Sequence, residues 1–547
     1  MLAEFFLRCT LEIMHVSFRS RLMLALIAIT FFAYLSSLGN PFIWDDEQFI
    51  TQNSYVQTFD MAKIFTTNTI AGAGEVSSYY RPLTTLSFAI DTRIWGQNPT
   101  GFHFTNLFLH TASGILLFFL LLGIGIGDYP AFFISLFFLI HPVQVEAVTY
   151  INSRGDSLYS AFLFGSLLFF NTFIRQQTKK IFAIGSLLLF VFSIFSKETA
   201  IAAFPLFFVL VILYMFKNKE NFSQSMQTYA KPLFVAVGTV CSVALYAVLR
   251  LTVLHFADVL DYYSSPTFYS THFWVRLFTF AKVLWIYLGI LVFPYPLHME
   301  RSVTLVTSVF DWHVWGVVVL MLALVVLAIY EMKKNHTAVI FFGCMLSACL
   351  LIPVSGIVPI NGILYEHWLY VPMVGFFVIC YGLFALFLAK SVVITKMLTA
   401  FVIVLSILYI FLTIRQNNIW GNPITFYVYT LQFAPTSARL HNNLGMSLAD
   451  SGDNKQAIIQ YQKALALDDK YPQIYNNLGN AQIAAGDYKA AEKNLQKALQ
   501  LSSDFSIAKV NLIKLYLVTR QFNKAKTLAT GDKELLLQIQ EYQKATQ

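Results

Sequence analysis

The sequence predicts an all-α membrane protein, a multi-pass bundle of helices followed by a tail of helical repeats. Three observations predict it. Of 547 residues, 57% are hydrophobic and 12% charged, with 53 Phe and a mean hydropathy of +0.61. A soluble chain of this length could not hide that much apolar surface. The apolar residues also fall into runs long enough, or nearly so, to span a bilayer. From about residue 421 the composition turns polar and rich in Ala, Gln, Asn and Lys, and it repeats every 34 residues.

The elements follow in order. The N-terminal stretch "MLAEFFLRCTLEIMHVSFRSR" is basic ahead of an apolar run at 22–38, with no small-residue cleavage site after it, as in a signal anchor. Further runs lie at about 104–125, 130–148, 157–174, 181–195, 200–216, 232–252, 313–330, 337–353, 368–389 and 397–414. The run 274–293 differs because it carries Arg276 and Lys282. A lysine at mid-bilayer costs roughly 2.5–3.5 kcal/mol on insertion scales. It is therefore expected to be re-entrant or interfacial, which leaves about eleven crossings. With the N-terminus cytoplasmic, "RQQTKK" (175–180), "KNKE" (217–220), "EMKK" (331–334), Lys390 and Lys396 all fall inside, and the C-terminus falls outside. The net charge of +8 thus marks topology, and no nucleic-acid partner is expected. The five cysteines sit in or near apolar segments without metal-ligand spacing, as small hydrophobes.

The tail carries the tetratricopeptide period. "ARLHNNLGMSLADSGDNKQAIIQYQKALALDDKY" (438–471) is followed by "PQIYNNLGNAQIAAGDYKAAEKNLQKALQLSSDF" (472–505). A half repeat at 421–437 precedes them, and a third repeat at 506–530 is followed by a capping helix, giving a membrane domain 1–420 and a repeat domain 421–547. Asn443, Asn477 and Asn511 recur once per repeat on the first helix. Two readings of them stand. They hold the backbone of an acceptor polypeptide in the groove, or they stabilise helix stacking.

The polar residues gather on the outside face. In "NPFIWDDEQFI" (40–50), Asp45 and Asp46 stand in the first outside loop, 39–103, held near the membrane by Phe42 and Trp44. Adjacent, partly desolvated carboxylates push one pKa up. One acid can then take a proton from an attacking hydroxyl while its neighbour orients it or holds a divalent cation. Which does which stays open. Arg81, Arg154 and Lys197 lie at helix starts or junctions on this face, where fixed cations suit a lipid-anchored phosphate; snorkelling at the interface is the plainer account. Arg276 and Lys282 can help position the same headgroup. His103 bonds a helix end or a substrate headgroup, and Glu366 with His367 form an acid–imidazole pair within an aromatic belt. No nucleotide-binding motif is present, so a transferase on this face needs a lipid-borne donor.

Taken together, "WDDEQFI", "YYRPLTTLSFAI", "GFHFTNLFLH", "FLIHPVQVEAVTYINSRGD", "FSKETAI" and "YEHWLYVPMVGF", followed by the repeats, resemble the transmembrane and tetratricopeptide repeat-containing O-mannosyltransferases, of the C-type (GT-C) glycosyltransferase superfamily. The resemblance implies a GT-C-type helical bundle using a polyprenyl-phosphate-linked sugar, with an acidic base in the first outside loop at Asp45 or Asp46. It implies an inverting transfer to Ser or Thr of a polypeptide, with Arg81 and Arg154 where the family has its own arginines. His367 stands where animal members tend to have Arg. Short loops and plain repeats look bacterial, which implies a cell-membrane protein with site and repeats on the periplasmic face. The rival readings are a transferase that decorates an envelope lipid or glycan, its repeats docking an assembly partner, and a non-enzymatic membrane scaffold.

Overall fold

In the computed structural model the described residues are 2–546 apart from Val76, 219–221, 254–266, His336, Asn361 and Lys390. Of the charges that orient the chain, Lys219, Glu220 and Lys390 therefore lie outside the described residues. Among the described residues every regular element is helical. The chain forms two compact units, Met1–Gly421 and Asn422–Gln547.

The first unit contains α1 (Leu2–Tyr34), α2 (Pro82–Trp95), α3 (Pro99–Ile124), α4 (Asp128–Ile140), α5 (Val145–Thr149), α6 (Arg154–Arg175), α7 (Lys180–Ser196), α8 (Pro205–Asn218), α9 (Ala230–Val248), α10 (Phe273–Val292), α11 (Trp312–Asn335), α12 (Val339–Leu351), α13 (Pro372–Phe387) and α14 (Val392–Trp420). Among the described residues, eight helices are long and apolar enough to cross a membrane, nine if the bent pair α4–α5 counts as one. Helix α11 makes the solvent plain. Val319, Leu322 and Val326 are each more than 60% exposed along it, which only hydrocarbon would tolerate.

Hydrogen bonds define two ends of the bundle. At the far end, Arg19 on α1 pairs with Asp128 on α4 at 2.7 Å, and Glu331 on α11 accepts the first N–H groups of α12. At the loop end, α1 runs into Asn40, whose carbonyl oxygen meets His103 on α3. Helix α14 finishes there too, since the Asn40 side chain donates to the Asn417 carbonyl at 3.3 Å.

Helix α10 is apolar and 20 residues long, and it is among the helices long and apolar enough to cross. Arg276 near its start donates to Gly356, in the connection between α12 and α13, while Leu291 near its finish accepts from Tyr409, eleven residues before the finish of α14. The charges of α10 are accommodated because Arg276 also reaches the Ser270 carbonyl at 2.6 Å and Lys282 bonds Thr304.

The bend of 48° between α4 and α5 falls at His141–Pro142. Proline cannot donate to the preceding turn, so three carbonyls there need other partners. Gln144 takes that of Phe138, His110 that of Leu139 and Thr413 that of Ile140. Helices distant in sequence thus secure the break.

The second unit alternates α15 (Pro423–Leu431), α16 (Ala438–Asp450), α17 (Asn454–Leu467), α18 (Pro472–Ala484), α19 (Tyr488–Leu501), α20 (Ser506–Val518), α21 (Phe522–Leu528) and α22 (Lys533–Thr546). The 34-residue period has a steric cause. Ala457, Ala491 and Ala525 are wholly buried where helices meet, and a Cβ at Gly445 would stand 2.6 Å from the Tyr461 ring. Between helices the first two repeats turn on Gly452 and Gly486 at φ 87° and 83°. The third makes the same left-handed turn with Arg520 at φ 57°. Arg520→Gly is therefore expected to stabilise this unit by about 0.5–1 kcal/mol, seen as a higher midpoint in thermal unfolding.

Candidate active site

The loop after Asn40 treats its two acids differently. Trp44 takes a left-handed conformation, φ 61°, which parts the side chains that follow. Asp46 turns inward and is wholly buried. Its Oδ2 accepts the Ile43 N–H and its Oδ1 the Asn152 N–H, both at 2.9 Å. Burial pushes its carboxyl up to about 8, with the two N–H groups pulling against that and the Asp45 charge adding to it. Asp45 stays partly exposed. Its backbone N–H donates to the Tyr150 hydroxyl at 3.2 Å. Asp46 fastens the loop, and of the two aspartates only Asp45 stays partly exposed.

Tyr150 links this loop to the last helix. Its ring stacks on Trp420, the final residue of α14, with centroids 5.7 Å apart. Beside it, Asn417 accepts from Thr149 at 2.5 Å and donates to the Ala33 carbonyl at 3.1 Å. His103 serves here as well. Its Nε2 donates to the Asn40 carbonyl at 3.1 Å, which leaves Nδ1 buried without a hydrogen atom. Tyr150→Phe would keep the stack but strip the Asp45 N–H of its acceptor, a loss of about 1–3 kcal/mol where buried. The expected result is a lower midpoint in thermal unfolding in detergent.

The cations expected to grip phosphate divide into two groups. Arg154 is fully buried, with its guanidinium 2.6 Å from Asp91, donating to Asn106 and to the Phe102 carbonyl, and lying over the Phe88 ring. It neutralises an internal carboxylate, and no donor phosphate can reach it. Lys197 is likewise closed, giving both oxygens of Asp156 hydrogen bonds at 2.7 Å. Arg276 is engaged by the Gly356 and Ser270 carbonyls and Lys282 by Thr304, as described. Arg81 differs. It grips Glu198 through two bonds, at 2.8 and 2.6 Å, while 16% of its side chain stays exposed over Tyr79.

The acid–imidazole pair is also rearranged. Glu366 does not bond His367 but accepts from Arg301 at 2.5 Å and from the His298 N–H. His367 instead meets Glu146 at 2.7 Å. Arg301, with 16% of its side chain exposed, was not evident in the sequence, because nothing local in "HMERSV" distinguishes it from a loop cation. Tyr150, Asp91 and Asn417 were missed for the same reason, since each matters through a partner far along the chain.

The expected divalent cation finds no donor set here. Both Asp46 oxygens already accept backbone N–H groups, and among the described residues no three His, Cys, Asp or Glu side chains converge.

In the second unit the asparagines bond one another. Asn477 donates to Asn442 at 3.1 Å, and Asn511 donates to Asn476 at 2.9 Å, each rung joining consecutive repeats. Asn443 accepts from Asn442. The geometry fits the stacking reading of this ladder.

Two tetratricopeptide-repeat family models match residues 436–504 and 482–531. A protein O-mannosyl-transferase of Caenorhabditis elegans is 28% identical over 466 residues, 83% of this chain and 64% of the relative. Human protein O-mannosyl-transferase TMTC4 is 24% identical over 496 residues, 81% of this chain and 66% of that protein. Over most of its length the chain is thus similar to proteins named protein O-mannosyl-transferases. Human protein O-mannosyl-transferase TMTC1 is 25% identical over 481 residues, covering 80% of this chain and 54% of its own length. The chain therefore spans a little under two thirds or less of these relatives. Among solved structures, the apo oligosaccharyltransferase of Archaeoglobus fulgidus aligns at 12% identity with a TM-score of 0.40, over 73% of this chain and 56% of that one. With its apolar helices, the chain is a multi-pass membrane protein.

Proposed function

We propose that the chain is an inverting membrane glycosyltransferase that moves a hexosyl group from a polyprenyl-phosphate carrier to Ser or Thr hydroxyls of a polypeptide. It acts on the periplasmic face of a bacterial cell membrane. The similarity to protein O-mannosyl-transferases along 83% of the chain carries this reading, and the geometry of the Asp45 loop supports it.

In the proposed step the acceptor oxygen attacks the anomeric carbon as its proton passes to the Asp45 carboxylate. The bond from that carbon to the phosphate oxygen breaks, and the lipid phosphate leaves with the electron pair. A single displacement of this kind inverts the centre. Arg81 and Arg301, each partly exposed and each steadied by a carboxylate, hold the departing charge. Asp46 and Tyr150 position the base. Helix α14 ends beside the Asp45 loop, so the chain leaves the bundle on the face where we place the chemistry. The repeats bind the acceptor or a partner there.

The test supplies purified full-length chain with a radiolabelled polyprenyl-phosphate hexose, an envelope protein extract and envelope lipids. Label in protein, released by β-elimination, is the expected result. Label found only in lipid or glycan would assign a different acceptor, and none anywhere would leave a scaffold.

A further inference from the structure

At the far end of the bundle, away from the Asp45 loop, lies a polar cavity of about 390 Å³. Its walls include Arg175 at the finish of α6, Gln177, Tyr214 and Lys217 near the finish of α8, and Tyr229 just before α9. The walls are built rather than incidental. Arg175 donates to the Tyr214 hydroxyl at 2.6 Å and to the Gly123 carbonyl. The Tyr214 hydroxyl donates in turn to the side-chain oxygen of buried Asn171 at 3.0 Å, and Gln177 ties the rim to the Thr228 carbonyl at 3.0 Å. Lys217 is exposed at the mouth. Among the described residues neither Arg175 nor Lys217 has a carboxylate partner, unlike Arg81, Arg154, Lys197 and Arg301.

The surroundings point to an amphiphile. Helices α7 and α9 start at this rim and present apolar side chains outward. Ile181, Ile184 and Leu188 on α7 are 65%, 61% and 50% exposed, and Phe234 on α9 is 80% exposed. A basic cavity opening beside hydrocarbon-facing helices suits a phosphate head whose acyl chains run down the outside. We propose that this cavity binds the phosphate headgroup of an anionic membrane lipid. The proposal is independent of the transferase reading, since it needs only that the chain sits in a bilayer.

The experiment places the full-length chain in nanodiscs of equal phosphatidylglycerol and phosphatidylcholine and counts retained lipid by native mass spectrometry. One phosphatidylglycerol should be retained preferentially. Lys217→Gln should weaken that retention about fivefold, the effect of one basic residue at a lipid surface. Lys217→Arg should keep it, and Lys396→Gln, an exposed charge on α14, should leave it unchanged. Equal retention of both lipids, or an unaffected Lys217→Gln, would mean the cations serve topology alone and overturn the proposal. Displacement of the lipid by millimolar inorganic phosphate would also overturn it, by making the cavity a soluble-anion site.

Discussion

Asp45→Asn is expected to lower the transfer rate by about 10²–10⁴-fold, the usual contribution of a positioned general base, without altering thermal stability. Asp46→Asn should fail differently. A carboxylate accepts the Ile43 and Asn152 N–H groups on separate oxygens. An amide offers one oxygen and turns its NH₂ toward the other donor, which leaves a buried N–H unsatisfied at about 1–3 kcal/mol. Activity and the unfolding midpoint should therefore fall together. Initial rates with lipid-phosphate sugar, paired with thermal unfolding in detergent, separate the two substitutions. Near-normal rates in Asp45→Asn would remove Asp45 as the proton acceptor. A fully active and fully stable Asp46→Asn would remove the anchoring role of its neighbour.

The second large effect concerns Arg154. Its side chain is entirely buried and its partner Asp91 nearly so, at 5% exposure. Arg154→Met leaves Asp91 without its counter-charge, held only by the neutral Thr105 and Trp95 side chains, so a loss of about 3–5 kcal/mol is expected. Adding Asp91→Leu should restore most of it, because removing both charges leaves no desolvated ion behind. A double-mutant cycle on unfolding midpoints reads the coupling. The restored double variant should also bind donor as the wild type does. A donor affinity that fell with Arg154→Met and did not return would reinstate Arg154 as a phosphate ligand.

Much of the architecture was legible because it is written in local composition. The apolar runs and the 34-residue spacing of Ala457, Ala491 and Ala525 need no knowledge of distant partners. Helix α10 was legible as an apolar helix marked by Arg276 and Lys282, but the Gly356, Ser270 and Thr304 partners of those charges were not. The candidate site was legible only in part. The paired acids stood out, but their division of labour depends on the Trp44 turn and on Asn152, 106 residues beyond Asp46. Arg154 and Lys197 read as anion grips because residue type is visible in a sequence and ion-pair partners are not. Asp91 and Asp156 had to be brought up by folding before those cations could be assigned.

The clasp of Asn40 and Tyr150 by Asn417 and Trp420 bears on biogenesis. More than 370 residues of synthesis separate Asn40 from the asparagine that holds it. A nascent chain halted before its last apolar segment inserts would carry both acids and all the pairing cations, yet would lack the fastening that sets them. A correctly set loop should thus appear late and abruptly during translation.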